Sequence, residues 1–257
     1  MDLIADHISH RFGALAVLDD VSFTVGAGEV VAIVGPSGCG KSTLLSILGG
    51  LLRPNAGQAE LRGAPPPGSL NPLTFVFQDF ALLPWSTVEG NVEFPLLHNG
   101  LSLGERRALV DDALRRTGLS DFRTAYPKQL SGGMRQRVGI ARALAVRPAI
   151  LLMDEPLSAL DSQTRELLME DFIRLLADGA MGAVYVTHNL EEAVRLADRI
   201  VVLSRRPGRV REVVTIPMTR GERGDINARG RLLSLQDELW SLIREEAIDA
   251  EREVQHA

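Results

Sequence analysis

The sequence predicts an α/β fold whose main sheet is mostly parallel, with helices on both faces. Three short, continuous apolar runs lie at Val30–Val34, 149–153 and 183–187. Runs of this kind are typical of strands that are buried on both faces of a sheet. Segments with helical spacing follow these runs, and the alternation of strands and helices predicts parallel strands joined by helical crossovers.

Local patterns predict the other elements in chain order. The alternating residues 18–25 predict an edge strand of an antiparallel sheet, and proline and glycine between 53 and 68 predict turns and short strands. Residues 73–78 and Arg199–Leu203 predict further strands. Helical spacing covers 41–52, 87–118, 130–147, 163–177, 191–197 and 226–247, the last as one or two surface helices.

Composition restricts the class of protein. The chain has 257 residues, of which 45% are apolar, enough to bury one core with a small appended subdomain. A formal net charge of −5 argues against a dedicated nucleic-acid binder, which usually carries a strongly basic face. The single cysteine, Cys39, excludes an intramolecular disulfide and fits a reducing compartment.

Residues 1–12 do not have the pattern of a secretory signal. No window approaches the roughly 20 apolar residues that cross a bilayer, so we expect any membrane contact through a partner chain or the surface.

The segment that follows the strand Val30–Val34 reads GPSGCGKS and matches the phosphate-loop pattern G-x-x-x-x-G-K-[ST]. Its glycines let backbone N–H groups turn towards a phosphate, and the next helix directs its positive end at the same anion. A chance glycine turn is the alternative, but a buried strand before the loop and a helix after it favour nucleotide binding. The residues expected to bind the nucleotide are Gly35, Pro36, Ser37, Gly38, Cys39, Gly40, Lys41, Ser42 and Thr43.

Three of these residues have individual roles. Lys41 is expected to neutralise the outer phosphates, and Ser42 to offer its hydroxyl to Mg²⁺. Cys39 lies at a helix N-terminus, where the pKa of a thiol can fall, so a redox role is one interpretation. The interpretation we favour is that Cys39 is simply a small residue that fills the loop.

Polar residues follow the other buried runs. Asp154 and Glu155 come directly after 149–153, at the end of a strand where parallel sheets bind ligands. Alone they could be a solvated acidic turn, but beside a phosphate loop Asp154 is expected to hold Mg²⁺ and Glu155 to act as general base. Gln78 could bridge metal and water at the end of 73–78. His188, after 183–187, could reach the terminal phosphate, although a lone histidine is more often structural.

Residues 130–137 read LSGGMRQR, which resembles the LSGGQxQR signature of the ABC ATPase family. Ser131, Gly132 and Gly133 would form a second anion cradle at a helix N-terminus. Met134 stands where the family most often has glutamine. The order of motifs over about the first 210 residues also follows this family, so the chain is identified by resemblance as a member.

The resemblance implies a P-loop NTPase core with a mainly parallel sheet, an antiparallel β subdomain and a helical subdomain. It implies an ATPase domain over 1–215, with the helical subdomain inserted at roughly 85–130, and a short helical tail over 216–257. By position, Phe12 would stack on adenine, Gln78 is similar to the Q-loop glutamine, and His188 to the switch histidine. Asp161 resembles the aspartate that contacts the opposite subunit. ATP and Mg²⁺ are the implied cofactors, each ATP lying between one chain's phosphate loop and the other's signature.

The apolar and aromatic residues of 78–92 resemble the importer version of this family, in which a groove receives a short helix of the permease. The alternative is ordinary core beneath a loop. The segments 163–168 and 204–210 and a tail with Trp240 resemble the nitrate, sulfonate and taurine importers. The implied partners are a second ATPase copy, a transmembrane permease and, indirectly, an external substrate-binding protein. The implied location is the cytoplasmic face of the cell membrane. A soluble or purely regulatory ABC ATPase is the alternative function.

Overall fold

The computed structural model describes residues 1–177, 181–224 and 226–255. In chain order the strands and helices are β1 Asp2–Phe12, β2 Leu15–Val25, β3 Val30–Val34, α1 Lys41–Leu48, β4 Ala56–Arg62, β5 Leu73–Val76, α2 Val88–Glu93, α3 Leu103–Arg116, α4 Gly132–Ala145, β6 Ile150–Asp154, α5 Ser162–Leu176, β7 Gly182–Val186, α6 Leu190–Leu196, β8 Arg199–Leu203, β9 Val210–Thr215 and α7 Arg229–Gln255. Short 3-10 turns lie at Phe94–Leu96, Ser120–Phe122, Pro127–Gln129, Glu222–Gly224 and Ile226–Ala228.

The main sheet has six strands in the order β5-β6-β7-β3-β8-β9. The first five are parallel, and β9 pairs antiparallel with β8 at the edge. Strands β3 and β7 are buried along their whole length, as their continuous apolar sequences predicted. The predicted α/β fold with a mainly parallel sheet is confirmed. This order brings the carboxyl ends of β3, β6 and β7 to one edge, where the candidate site lies.

A second sheet has three antiparallel strands in the order β2-β1-β4. The edge strand predicted over 18–25 is present as β2, which begins earlier, at Leu15. Apolar side chains of this sheet share one cluster with β3 and with α1. The antiparallel sheet is therefore fixed beside the loop that joins β3 to α1.

Helices α2, α3 and α4 pack on one another around an apolar cluster of their own. The helical stretch predicted over 87–118 is broken between Phe94–Leu96 and α3. Ser102 starts α3 as a capping box with Glu105, and Gly100 before it has a left-handed backbone. Capping and a left-handed glycine are ordinary signals of a helix boundary, and they explain the break.

The end of the described chain forms one helix, α7, where one or two surface helices were predicted. Its buried residues Leu232, Leu239 and Ile243 belong to the same apolar cluster as the main sheet. One face of α7 is therefore part of the core, while Leu233 and Trp240 are exposed. Over the described residues, none of the helices combines the length and the apolar character that crossing a membrane requires.

Candidate functional site

The loop between β3 and α1 can be built only with glycine at its two ends. A Cβ on Gly35 would lie 2.8 Å from the carbonyl oxygen of Leu203 and 3.1 Å from Cys39 Sγ. Gly40 has φ of 107°, and a Cβ there would lie 2.8 Å from a methyl carbon of Leu18. Gly35 and Gly40 are thus required by contacts with β8 and β2, independently of any phosphate.

The N-terminus of α1 is arranged to receive an anion. Gly40 supplies no side-chain cap, and the first turn contains no acid. The first N–H groups of a helix have no partner within the helix, and the macrodipole adds partial positive charge there. Lys41 is buried and its Nζ donates to the carbonyl oxygens of Gly35 and Pro36 at 2.9 Å. Among the described residues, no carboxylate forms an ion pair with Lys41, so its charge is available to phosphate.

Cys39 faces the core. Its side chain is buried in the cluster that joins β2, β3 and α1. Burial raises the pKa of the Cys39 thiol, and the nearby Lys41 offsets this only in part. The geometry supports the small loop-filling residue and removes the reason for a redox role, because a buried thiol with a raised pKa reacts slowly.

A hydroxyl and a carboxylate meet at the mouth of the loop. Ser42 Oγ donates to Asp154 Oδ1 at 3.1 Å, which joins the start of α1 to the end of β6. Burial raises the pKa of Asp154, an effect that the hydrogen bond from Ser42 opposes. Both groups present hard oxygen atoms, the ligand type that Mg²⁺ prefers.

The residues predicted to handle water form one connected group. Glu155 Oε2 lies 3.0 Å from His188 Nδ1. Gln78 Nε2 donates to Ser158 Oγ at 3.1 Å, and that hydroxyl donates to the carbonyl oxygen of Glu155 at 3.0 Å. Glu155 has φ of 44°, a left-handed conformation that is uncommon for a residue with a side chain and that clusters at functional sites. Gln78 lies two residues beyond the end of β5 and is exposed.

The signature lies at the start of α4. Ser131 caps this helix by accepting from the backbone N–H of Met134 at 3.3 Å. A Cβ on Gly133 would lie 2.5 Å from Thr164 Cγ2, so glycine is required for α4 to pack against α5. Gly132 has ordinary space around it. Among the described residues, no hydrogen bond or ion pair joins 131–133 to the phosphate loop of the same chain.

Asp161 and Phe12 are the two remaining residues that the sequence predicted for the site. Asp161 caps α5, and hydrogen bonds from Thr164 and Gln163 lower the pKa of its carboxyl group. Phe12 ends β1 and is 53% exposed, and the ring of His10 lies against its ring with centroids 4.7 Å apart. An exposed aromatic face is suited to stacking on a base.

Two residues that hold the site together were not predicted from the sequence. Arg142 of α4 donates to the carbonyl oxygens of Phe80 and Ala81, both in left-handed conformations in the loop after Gln78. Gln136 of α4 is fully buried and donates to the carbonyl oxygen of Pro156, directly after Glu155. Gln136 belongs to the LSGGMRQR signature, but the sequence does not identify the carbonyl oxygen to which it donates.

The sequence matches the family model described as ABC transporter over residues 18–158. It is 43% identical to the taurine import ATP-binding protein TauB of Chromobacterium violaceum over 229 residues, which cover 88% of each chain. It is 48% identical to the TauB protein of Burkholderia pseudomallei over 200 residues, 78% of this chain and 77% of that one.

Solved structures agree with this fold. The dimeric structure of a bacterial ABC transporter cassette superposes with a TM-score of 0.72 at 35% identity. The match covers 84% of this chain and 99% of the cassette. A post-hydrolysis state of that cassette, bound to ADP and Pi, superposes with a TM-score of 0.71 at 34% identity.

Proposed function

The chain belongs to the ABC transporter family as an ATP-hydrolysing cassette, and we propose that it drives uptake of a small anion of the taurine, sulfonate or nitrate class through a partner permease. The observation that carries this is the single connected site at one sheet edge. There the loop with Lys41, the pair Ser42–Asp154 and the pair Glu155–His188 lie together. The import function of the similar taurine proteins supports the cargo class.

Binding is the proposed task of the loop and of α1. The uncapped helix N-terminus and the ammonium group of Lys41 both favour the negative outer phosphates of ATP. Lys41 would exchange its two carbonyl acceptors in the loop for phosphate oxygens, and Phe12 would stack on the base. ATP would therefore be held at both of its ends.

Ser42 and Asp154 are suited to hold Mg²⁺, with Gln78 as a further oxygen donor. Bound there, Mg²⁺ would neutralise charge on the outer phosphates and keep most of its own waters. The raised pKa of Asp154 reflects a carboxylate that burial disfavours and that a cation would compensate. Two hard oxygen atoms 3.1 Å apart make the pair fit a metal.

Glu155 would accept a proton from the attacking water, and His188 would orient that water and the terminal phosphate. Their 3.0 Å contact fixes the position of each side chain relative to the other. In phosphoryl transfer the protein contributes mainly positioning and charge stabilisation, so small displacements of this pair should be costly.

The functional unit that we propose is a head-to-tail dimer. Ser131 is exposed and Gly132 is partly exposed at the start of α4, and both would complete the site of a second copy. Asp161 would contact that copy. Dimer formation is described for the similar cassette, which supports this arrangement.

We further propose that residues 78–92 dock the permease at the cytoplasmic face of the membrane. Trp85 is 76% exposed, and the nearby Phe80, Leu82 and Leu83 are partly buried. A rim of partly buried apolar residues with one exposed aromatic anchor fits a short partner helix. A substrate-binding protein would deliver the cargo to the permease from outside.

Replacing Glu155 with glutamine tests the site. Glu155→Gln should lower kcat for ATP hydrolysis at least about 100-fold, because the general base is lost while nucleotide binding remains. In ATP this variant should accumulate as a dimer in size-exclusion chromatography. Glu170→Gln, an exposed glutamate of α5, is the matched control and should behave as the wild type. Normal hydrolysis by Glu155→Gln would remove Glu155 from the mechanism.

Detergent extraction tests the coupling to transport. The chain should co-purify with a hydrophobic permease, and Trp85→Ala should reduce the amount recovered, because the exposed anchor is removed. An active ATPase that recovers no permease would favour the soluble or regulatory alternative.

A further inference from the structure

A buried carboxylate lies behind the candidate histidine. Glu192 of α6 is only 4% exposed. Its Oε2 accepts hydrogen bonds from the hydroxyl groups of Tyr185 and Thr187, both at 2.8 Å. Burying a carboxylate is costly unless its charge is compensated, so this position needs an explanation beyond packing.

Through these bonds Glu192 holds the backbone that carries His188. Thr187 precedes His188, and its Oγ1 also accepts from the backbone N–H of Asn189 at 3.0 Å. The Thr187 hydroxyl therefore ties the residues on both sides of His188 together. Glu192 orients this hydroxyl, because a proton donated to the carboxylate leaves the oxygen's lone pairs for Asn189.

The other oxygen of Glu192 faces an arginine. Arg165 Nε of α5 lies 3.8 Å from Glu192 Oε1, which is an ion pair but too long for a hydrogen bond. This Nε is buried and has no hydrogen-bond partner among the described residues. The same guanidinium donates from Nη2 to the carbonyl oxygen of Leu160 at 2.9 Å. Leu160 directly precedes Asp161.

A small cavity separates the two helices at this point. Its volume is about 190 Å³, and its lining includes Arg165, Asn189 and Glu192. The cavity gives the guanidinium room to approach the carboxylate. A movement of roughly 1 Å would convert the ion pair into a charge-assisted hydrogen bond.

We propose that Arg165 and Glu192 are positioning residues that align His188 with the segment Leu160–Asp161. This rests on the proposed function, in which His188 and Asp161 belong to the ATP site. A second copy that contacts Asp161 displaces the Leu160 carbonyl, Arg165 moves with it, and Glu192 transmits the change to the backbone around His188. In this proposal both residues act through His188 and the Leu160–Asp161 segment, without contacting ATP.

The first experiment compares two neighbouring glutamates of α6. Glu192→Gln keeps an oxygen that accepts from Tyr185 and Thr187 but removes the charge opposite Arg165. It should lower kcat about tenfold and leave KM for ATP within about twofold. Glu191→Gln removes an exposed glutamate one position earlier and should change neither. Arg165→Lys keeps the charge, shortens the reach to Leu160, and should reproduce the Glu192→Gln effect.

A second experiment separates positioning from a merely structural role. The rate of ATP hydrolysis is measured in single turnovers, with Glu192→Gln introduced into the wild type and into a His188→Ala variant. In the His188→Ala variant, Glu192→Gln should cause no further loss of rate, because Glu192 acts through the histidine. An equal loss in both backgrounds, or full activity of Glu192→Gln, would overturn the proposal. Wild-type protein without ATPase activity, or an active Glu155→Gln variant, would instead refute the proposed function.

Discussion

At single positions of the site, close packing contacts restrict which residue type can be present, in addition to any chemical role. Gly133 is the clearest case. Its role as a phosphate contact is a proposal. Its packing against Thr164 is a direct steric restriction, because a Cβ at this position would lie only 2.5 Å from Thr164 Cγ2. Glycine here therefore sets how near α4 can approach α5.

Gly133→Ala tests that restriction. In a helix alanine is favoured over glycine by about 1 kcal/mol, so a free position would gain stability. Here the clash with Thr164 should outweigh that gain and lower the free energy of unfolding by about 1–3 kcal/mol, measured by urea unfolding. Adding Thr164→Ser removes the clashing methyl group and keeps the hydroxyl that donates to Asp161. The double variant should therefore regain most of the lost stability. A more stable Gly133→Ala protein would contradict this account.

At the scale of elements, ion pairs and buried faces attach the outer segments to the main sheet. Glu29, just before β3, accepts from Arg199 of β8 through both carboxylate oxygens and from the backbone N–H of Gly26. At the other end of the chain, Leu239 of α7 is fully buried in the main core. Trp240 and Gln236 of α7 line a cavity of about 380 Å³ with His188, so the tail reaches the candidate site.

The Glu29–Arg199 contact predicts a pH-dependent stability. Burial by itself would raise the pKa of Glu29, but hydrogen bonds from Arg199 and Gly26 outweigh it and lower the pKa below its ordinary 4.5. A lowered folded-state pKa contributes stability above the unfolded pKa, and that stability is lost as pH falls through the folded value. The wild type should therefore exceed Glu29→Gln in free energy of unfolding at about pH 7, and the difference should shrink towards about pH 4.

Urea unfolding of both proteins across this range is the measurement. Glu238→Gln, an exposed position on α7, is the control for removing one carboxylate. If the difference in free energy of unfolding between wild type and Glu29→Gln does not change with pH, the negative charge of Glu29 does not contribute to stability.

At the scale of the whole molecule, the phosphate loop and the signature belong to different packing units. The phosphate loop belongs to the cluster of β2, β3 and α1, whereas the signature begins a helix that packs with α2, α3 and α5. Closing the loop and a signature on ATP therefore requires a second copy in the proposed arrangement.

Mixing two inactive variants tests this arrangement. Lys41→Ala disables the phosphate loop, and Ser131→Arg disables the signature. The homodimer of either variant should therefore be inactive. A mixed head-to-tail dimer has one site built entirely from wild-type parts, and an equal mixture should recover up to about a quarter of wild-type hydrolysis. Phosphate release during titration of one variant with the other is the measurement. Normal hydrolysis by Ser131→Arg alone would contradict the shared site.

Much of the fold could be predicted because its signals are local. Continuous apolar runs predicted β3, β6 and β7, and alternation predicted β2. Two strands were missed for physical reasons. β1 contains irregular register around His7, whose left-handed backbone breaks the two-residue alternation. β9 is an edge strand with mostly exposed side chains, so its apolar pattern is weak.

By itself the sequence determined the class of fold, the phosphate loop, the acid pair and the signature, because each is a contiguous set of residues whose chemistry does not depend on distant neighbours. Only the tertiary structure decided how these parts meet. The hydrogen bonds of Arg142 to the loop after Gln78, the contact of Gly133 with Thr164, and the pairing of Arg165 with Glu192 join residues far apart in the chain. Such contacts depend on how closely helices pack, and sequence spacing does not encode that distance.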